Sequence, residues 1–185
     1  AADNTNTESQ TVSTERRELV AVVYPDAADA QRALDEGWRW QEGVSTPWYK
    51  RFNYWTKKKD SIDSVTHLAK SRVRQWRAPY KSAISEVLDL PVAFRMNALR
   101  NTFDSIREKS RRGRNCIRLL EIHGHGRPGI QLVSAGMERE NNGVEELDNL
   151  IDKTTANSIF NDIRWCKELG EPKCAIWVWG CDVAS

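Results

Sequence analysis

The chain has 185 residues, with 28 Lys and Arg against 26 Asp and Glu and a formal net charge of +2. That length buries one substantial core, so one domain with additions is expected. No apolar run approaches the roughly 20 residues that cross a bilayer, and no signal-peptide pattern opens the chain, so a membrane partner is not expected.

Four cysteines, Cys116, Cys166, Cys174 and Cys181, lack CxxC spacing. A zinc ribbon and a dense disulfide framework are therefore not expected. The pattern fits reduced thiols and a cytoplasmic setting.

In chain order, residues 1–15 are polar, with little to bury, and read as a disordered lead-in. Residues 16–185 form the folded part. Leu19 to Tyr24 is an apolar, β-branched run stopped by Pro25, a buried strand. Asp26 caps a helix over Ala27 to Glu36 that ends at Gly37. Residues 38–81 read as a basic, aromatic helical insertion, with ten Lys/Arg against two Asp/Glu between Lys50 and Lys81. Within it, Trp48, Phe52 and Trp55 fall on one helical face directed at a core. A second periodic set runs through Ile62, Val65, Ala69, Arg72/Val73 and Trp76.

Ala83 to Leu90 is ambiguous between strand and helix. Val92, Met96, Leu99, Phe103 and Ile106 then predict a helix closed by Gly113, and Cys116 to Ile122 a strand. The stretch Ser134 to Glu171 is acidic, with nine Asp/Glu against four Lys/Arg. Its Ile159, Ile163, Cys166 and Leu169 predict a helix closed by Gly170. Cys174 to Trp179 is a last strand. Alternating strands and helices predict an α/β fold around a mainly parallel sheet. Right-handed crossovers then place the strand C-terminal ends on one edge, where such folds build their sites.

Two clusters sit at those ends. His123-Gly124-His125-Gly126-Arg127-Pro128-Gly129 leaves a strand as a tight glycine-rich loop. An imidazole there can act as acid or base near neutral pH. A metal reading would need further ligands, and His67 is the one remaining histidine; no metal or cofactor is expected. Cys181 stands at the end of the last strand, after Gly180 and before Asp182. A thiol at a sheet edge can be exposed and activated by a neighbouring imidazole. Cys116, Cys166 and Cys174 read instead as small buried apolar residues.

An apolar block ending in His-Gly, followed later by a second apolar block ending in a small residue and Cys, resembles the caspase-like (clan CD) cysteine peptidases. The matching stretches are Ile117 to Gly126 and Ala175 to Cys181, and Gly124-His125-Gly126 is most similar to gingipain and separase. The resemblance implies a caspase-like α/β/α sandwich of which residues 16–185 are the N-terminal, large-subunit-like part, incomplete at the C-terminal side. It implies a thiol protease with a Cys-His dyad acting on a protein or peptide substrate. Cys181 would be the nucleophile and His125 the acid/base, with His123 as the alternate. The backbone N–H groups of Gly126 and Cys181 would hold the oxyanion. Activation of a zymogen by processing or partner binding is implied too, with a second polypeptide completing the fold after Ser185. Gly180 departs from the more usual Ala before the cysteine.

Two other readings stand beside this one. One is a catalytically inactive caspase-like protein-binding module. The other is a nucleic-acid-binding protein using the aromatics and lysines of residues 38–81, which the expected core-facing rings disfavour.

Overall fold

The computed structural model describes residues 15–43, 45–78 and 83–180. Residues 1–14 of the expected lead-in and Cys181 lie outside the described residues. Strand β1 (Arg17–Pro25) leads to helix α1 (Ala27–Asp35), whose N-cap Asp26 accepts hydrogen bonds from the backbone N–H of Ala28 and Asp29. A short strand β2 (Arg39–Trp40) and a 3₁₀ turn (Trp48–Lys50) precede the long helix α2 (Arg51–Trp76). Then come β3 (Glu86–Val92), α3 (Ala98–Arg111) and β4 (Asn115–His123). Five short strands follow: β5 (His125–Arg127), β6 (Ile130–Leu132), β7 (Met137–Glu140), β8 (Val144–Leu147) and β9 (Leu150–Ile151). The described chain closes with α4 (Ala156–Phe160), β10 (Lys167–Glu168), β11 (Glu171–Pro172) and β12 (Ala175–Trp179).

The protein is an α/β fold. Its main sheet has the order β3-β1-β4-β12, every neighbouring pair being parallel. β1 and β4 occupy its centre, so their residues are buried on both faces and read as continuous apolar runs. One face, with Leu19, Ala21, Val23, Leu120 and Ile122, packs against Leu99, Phe103 and Ile106 of α3. The other, with Val20, Val22 and Tyr24, takes Ala69 and Val73 of α2. Thr66 also ties α2 to the sheet, donating to the Pro25 carbonyl at 2.6 Å. A smaller core of Trp38, Trp40, Ile62, Phe94, Met137 and Leu147 lies under the three-stranded sheet β2-β7-β8.

One open reading is settled and three expectations are corrected. Residues 86–92 resolve the ambiguous segment as a strand. The helix expected through Ile159, Ile163, Cys166 and Leu169 stops at Phe160. Asp162 and Leu169 take positive φ (60° and 51°), and Leu169 lies fully exposed in the turn of the β10-β11 hairpin. Trp48 and Phe52 do not face a core: they are 77% and 75% exposed. Trp48 belongs to the 3₁₀ turn; on α2, Tyr54, Trp55 and Ile62 pack on the smaller core, and Thr66, Ala69 and Val73 meet the main sheet.

The third correction concerns the thiols. Cys116 and Cys166 form a disulfide, with Cα atoms 4.9 Å apart. Cys166 N–H donates to the Ile117 carbonyl, and Ile117 N–H to that of Arg164, so the segment after α4 lies along the start of β4 and brings the two sulfurs together. Cys174 is free. Disulfides persist in oxidising compartments, which removes the ground for expecting a cytoplasmic setting. No helix among the described residues is long and apolar enough to cross a membrane.

Candidate functional site

β4 and β12 are parallel neighbours, and their registers place Trp179 opposite His123. Both chains leave the sheet at its C-terminal edge. The N–H of Gly124 donates to the Trp179 carbonyl at 3.1 Å, and the Gln131 side-chain amide donates to the same oxygen at 3.1 Å. The histidine-bearing loop is thereby fastened to the strand end that leads into Gly180 and Cys181. Gly124 is required by space: a Cβ there would meet the Leu132 carbonyl oxygen at 2.1 Å. The loop then continues as the β5-β6 hairpin, turned by Pro128 and Gly129, whose φ of +71° suits glycine.

The two histidines have different surroundings. His123 is fully buried and stacks on the Trp179 ring, with centroids 5.5 Å apart and planes 2° from parallel. Its Nε2–H donates to Glu121 at 3.0 Å, and its Nδ1 has no partner among the described residues. Glu121 is also fully buried. It accepts from Arg72 Nη2 at 2.6 Å and from Trp76 Nε1 at 2.9 Å. Burial would raise the Glu121 pKa, but hydrogen bonds from His123, Arg72 and Trp76, with the Arg72 charge, hold it down at about 2. The Arg72 guanidinium lies 5.5 to 5.6 Å from the ring centroids of Trp76, Trp177 and Trp179. This network braces α2 against β4 and β12.

His125 is half-buried and faces α2, with its Nε2 3.0 Å from the Ser61 hydroxyl. It lines a cleft with Trp40, Tyr54, Lys58, Ile62 and Arg127. Burial, and then the Lys58 charge, lower its pKa below the ordinary 6.5. Both effects favour the neutral imidazole, the form that can accept a proton. The Gly124 N–H is spent on Trp179 and is not a free oxyanion donor. His67, the third histidine, lies exposed on α2. Among the described residues, no three His, Cys, Asp or Glu side chains gather to hold a metal.

Sequence reasoning located the strand-end histidines but missed Lys58, Ser61, Arg72 and Glu121. Lys58 was hidden in a lysine run that reads as a solvated face, and Ser61 carries no signal. Glu121 did carry one. A lone carboxylate inside the run Leu119-Leu120-Glu121-Ile122 must find a partner when its strand is buried on both faces.

Among the described residues, the edge strand β12 pairs within the sheet only with β4. Ile176, Trp177, Val178 and Trp179 are each 37–44% exposed. Ile176 and Val178 open on one face into an apolar hollow of about 270 Å³ with Ile122, Ile130, Ile151 and Phe160. No family model, curated protein or solved structure matches the chain.

Proposed function

We propose that the chain is a cysteine endopeptidase of caspase-like fold, with Cys181 as nucleophile and His125 as acid/base. The observation that carries this reading is the parallel pairing of β4 and β12, with Gly124 bonded to Trp179. It brings the start of the His125 loop beside the described end of β12, two residues before Cys181 in the sequence, on one sheet edge. Strand ends of an α/β sheet are where such sites are built.

In this mechanism His125 takes the thiol proton and Cys181 Sγ attacks the peptide carbonyl. A C–S bond forms, and the carbonyl electron pair moves onto oxygen. The N–H groups of Gly126 and Cys181 stabilise that oxyanion. As the C–N bond breaks, protonated His125 gives its proton to the leaving amine, and water later hydrolyses the thioester. His125 is favoured over His123 as the dyad member because it is half-buried and lines a cleft. His123 is enclosed between Glu121 and Trp179. The exposed apolar β12 supports further polypeptide covering that edge in the working enzyme.

The test is covalent labelling with a peptide bearing a thiol-directed electrophile, read by intact mass and peptide mapping. Wild type should be modified at Cys181, His125→Ala should react at least tenfold more slowly, and His123→Ala should fall less. Modification that persists in Cys181→Ala, or equal rates in wild type and His125→Ala, would remove the dyad.

A further inference from the structure

The aromatic residues that open α2 contribute to no core. Trp48, Tyr49 and Phe52 are each 63–77% exposed, and a cluster of large rings left in water marks an interaction surface. Trp48 and Tyr49 meet edge to face, with centroids 5.9 Å apart. The apolar side of the helix is already used, since Tyr54, Trp55 and Ile62 pack on the smaller core. What remains outward is rings and cations. From Gly43 to Lys59 there are five Lys/Arg and no Asp/Glu. Glu42 holds Arg51 at 2.9 Å and Asp63 holds Lys59 at 2.6 Å. Lys50 and Lys57 have no carboxylate within ion-pair distance among the described residues. Lys50, Asn53 and Lys57 follow at three- and four-residue spacing and are all exposed, so they form a polar row beside the rings. Charge and ring stand close together, with Lys50 Nζ 6.0 Å from the Tyr49 centroid.

We propose that this face binds single-stranded nucleic acid, its bases stacking on Trp48, Tyr49 and Phe52 and its phosphates following Lys50 and Lys57. Every unpaired base offers a π-face to an exposed ring, and phosphates bring the negative charge that this face lacks. A bilayer surface fits less well. Interfacial anchors bury a continuous apolar helix face, but from Thr46 to Asn53 there is no Val, Leu, Ile or Met. Lys50 and Arg51 stand between the rings in sequence, and insertion would take their charges out of water. A protein partner fits less well too, because lysine is depleted in protein–protein interfaces. A duplex keeps its bases stacked on one another, which leaves no face for the rings. The contact uses rings and charge rather than base edges, so it carries little sequence preference. It involves neither Cys181 nor His125 and does not rest on the peptidase reading.

The experiment is a fluorescence-anisotropy titration of the full chain against a labelled thymidine homo-oligonucleotide of about 10 nucleotides, repeated across salt concentrations. Affinity should fall linearly with salt on logarithmic axes, and the slope should shrink by roughly 0.7 for each lysine removed in Lys50→Gln and Lys57→Gln. An abasic phosphodiester oligomer of the same length should bind at least tenfold more weakly than the thymidine oligomer, through loss of stacking. Trp48→Ala and Phe52→Ala should each weaken thymidine binding about tenfold and leave abasic binding nearly unchanged. Both rings are exposed, so the melting temperature should stay at the wild-type value, which separates lost stacking from lost folding. No thymidine binding at low salt, or thymidine and abasic oligomers bound equally, would overturn the proposal. So would binding unchanged in the variant that combines Trp48→Ala with Phe52→Ala, or a salt slope unchanged when both lysines are replaced. Duplex bound as tightly as the single strand would overturn the choice of strand. Polyglutamate or phosphatidylserine vesicles bound as tightly as the thymidine oligomer would overturn the nucleic-acid assignment in favour of an acidic protein or a membrane.

Discussion

Glu121 shows what one charged residue can contribute when a network is built around it. Its carboxylate has no exposure, and it is kept ionised by Arg72, His123 and Trp76. A carboxyl whose pKa is 4.5 in the unfolded chain and about 2 in the fold stabilises the fold by on the order of 3 kcal/mol above pH 4.5. The unfolded chain binds the proton first as pH falls, so this contribution starts to fade near pH 4.5 and is gone below about pH 2. Glu121→Gln should therefore lower stability in urea unfolding at pH 7, and its deficit against wild type should shrink between pH 4.5 and 2. A deficit independent of pH would mean that the carboxylate is not held ionised. Arg72→Met should be worse at neutral pH, by roughly 3–5 kcal/mol, because it leaves a buried charge without its partner. His123 is the residue between this network and the site, so the same substitutions test whether the network positions the β4 end.

Among the elements, the disulfide joins two that the sequence does not connect. It fastens the start of β4 to the segment after α4 across 50 residues. Constraining a loop of that size stabilises by about 4 kcal/mol on the chain-entropy argument. Cys116→Ala with Cys166→Ala should lower the melting temperature by roughly 10 °C. In a thiol titration of the denatured, unreduced wild type, at least two of the four cysteines should stay unreactive until reductant is added. Four reactive thiols without reductant would exclude the bond. This pairing was not legible, since spacing does not tell which cysteines meet, and Cys166 happens to continue an apolar period from Ile159 and Ile163. β1, α1, β4 and β12 were legible because a parallel strand makes a continuous apolar run and Asp26 makes a clear cap. The inner face of α2 from Ile62 to Val73 was legible by its period. The same period misled at Trp48 and Phe52, because spacing defines a face but not whether anything packs against it. The strands of two to four residues in the smaller sheets are too short to show any period. At the site, the glycine–histidine loop announced itself. The α2 contribution of Lys58, Ser61 and Arg72 depends on how that helix crosses the strand ends, which no local pattern records.

At the scale of the whole molecule, the sheet is closed at neither β3 nor β12, but the two edges differ in side chains. β3 alternates, exposing Asp89 and Pro91 while burying Leu88 and Val92. β12 presents Ile176 and Val178 on one face and Trp177 and Trp179 on the other, all partly exposed, and no strand of the described residues pairs with its outer side. Edges without charges, bulges or cover are templates for pairing with another chain. The isolated chain should therefore self-associate through β12. In analytical ultracentrifugation its sedimentation coefficient should rise with concentration over the micromolar range, and Ile176→Lys with Val178→Lys should suppress the rise by putting charge into the apolar hollow. Trp177 and Trp179 are poorer choices for this test, because they also flank Arg72 and the buried carboxylate, and their loss would weaken the fold itself. A sedimentation coefficient that is flat with concentration in the wild type would mean that the edge is already protected by residues of this chain. The peptidase reading would then no longer call for additional polypeptide at β12.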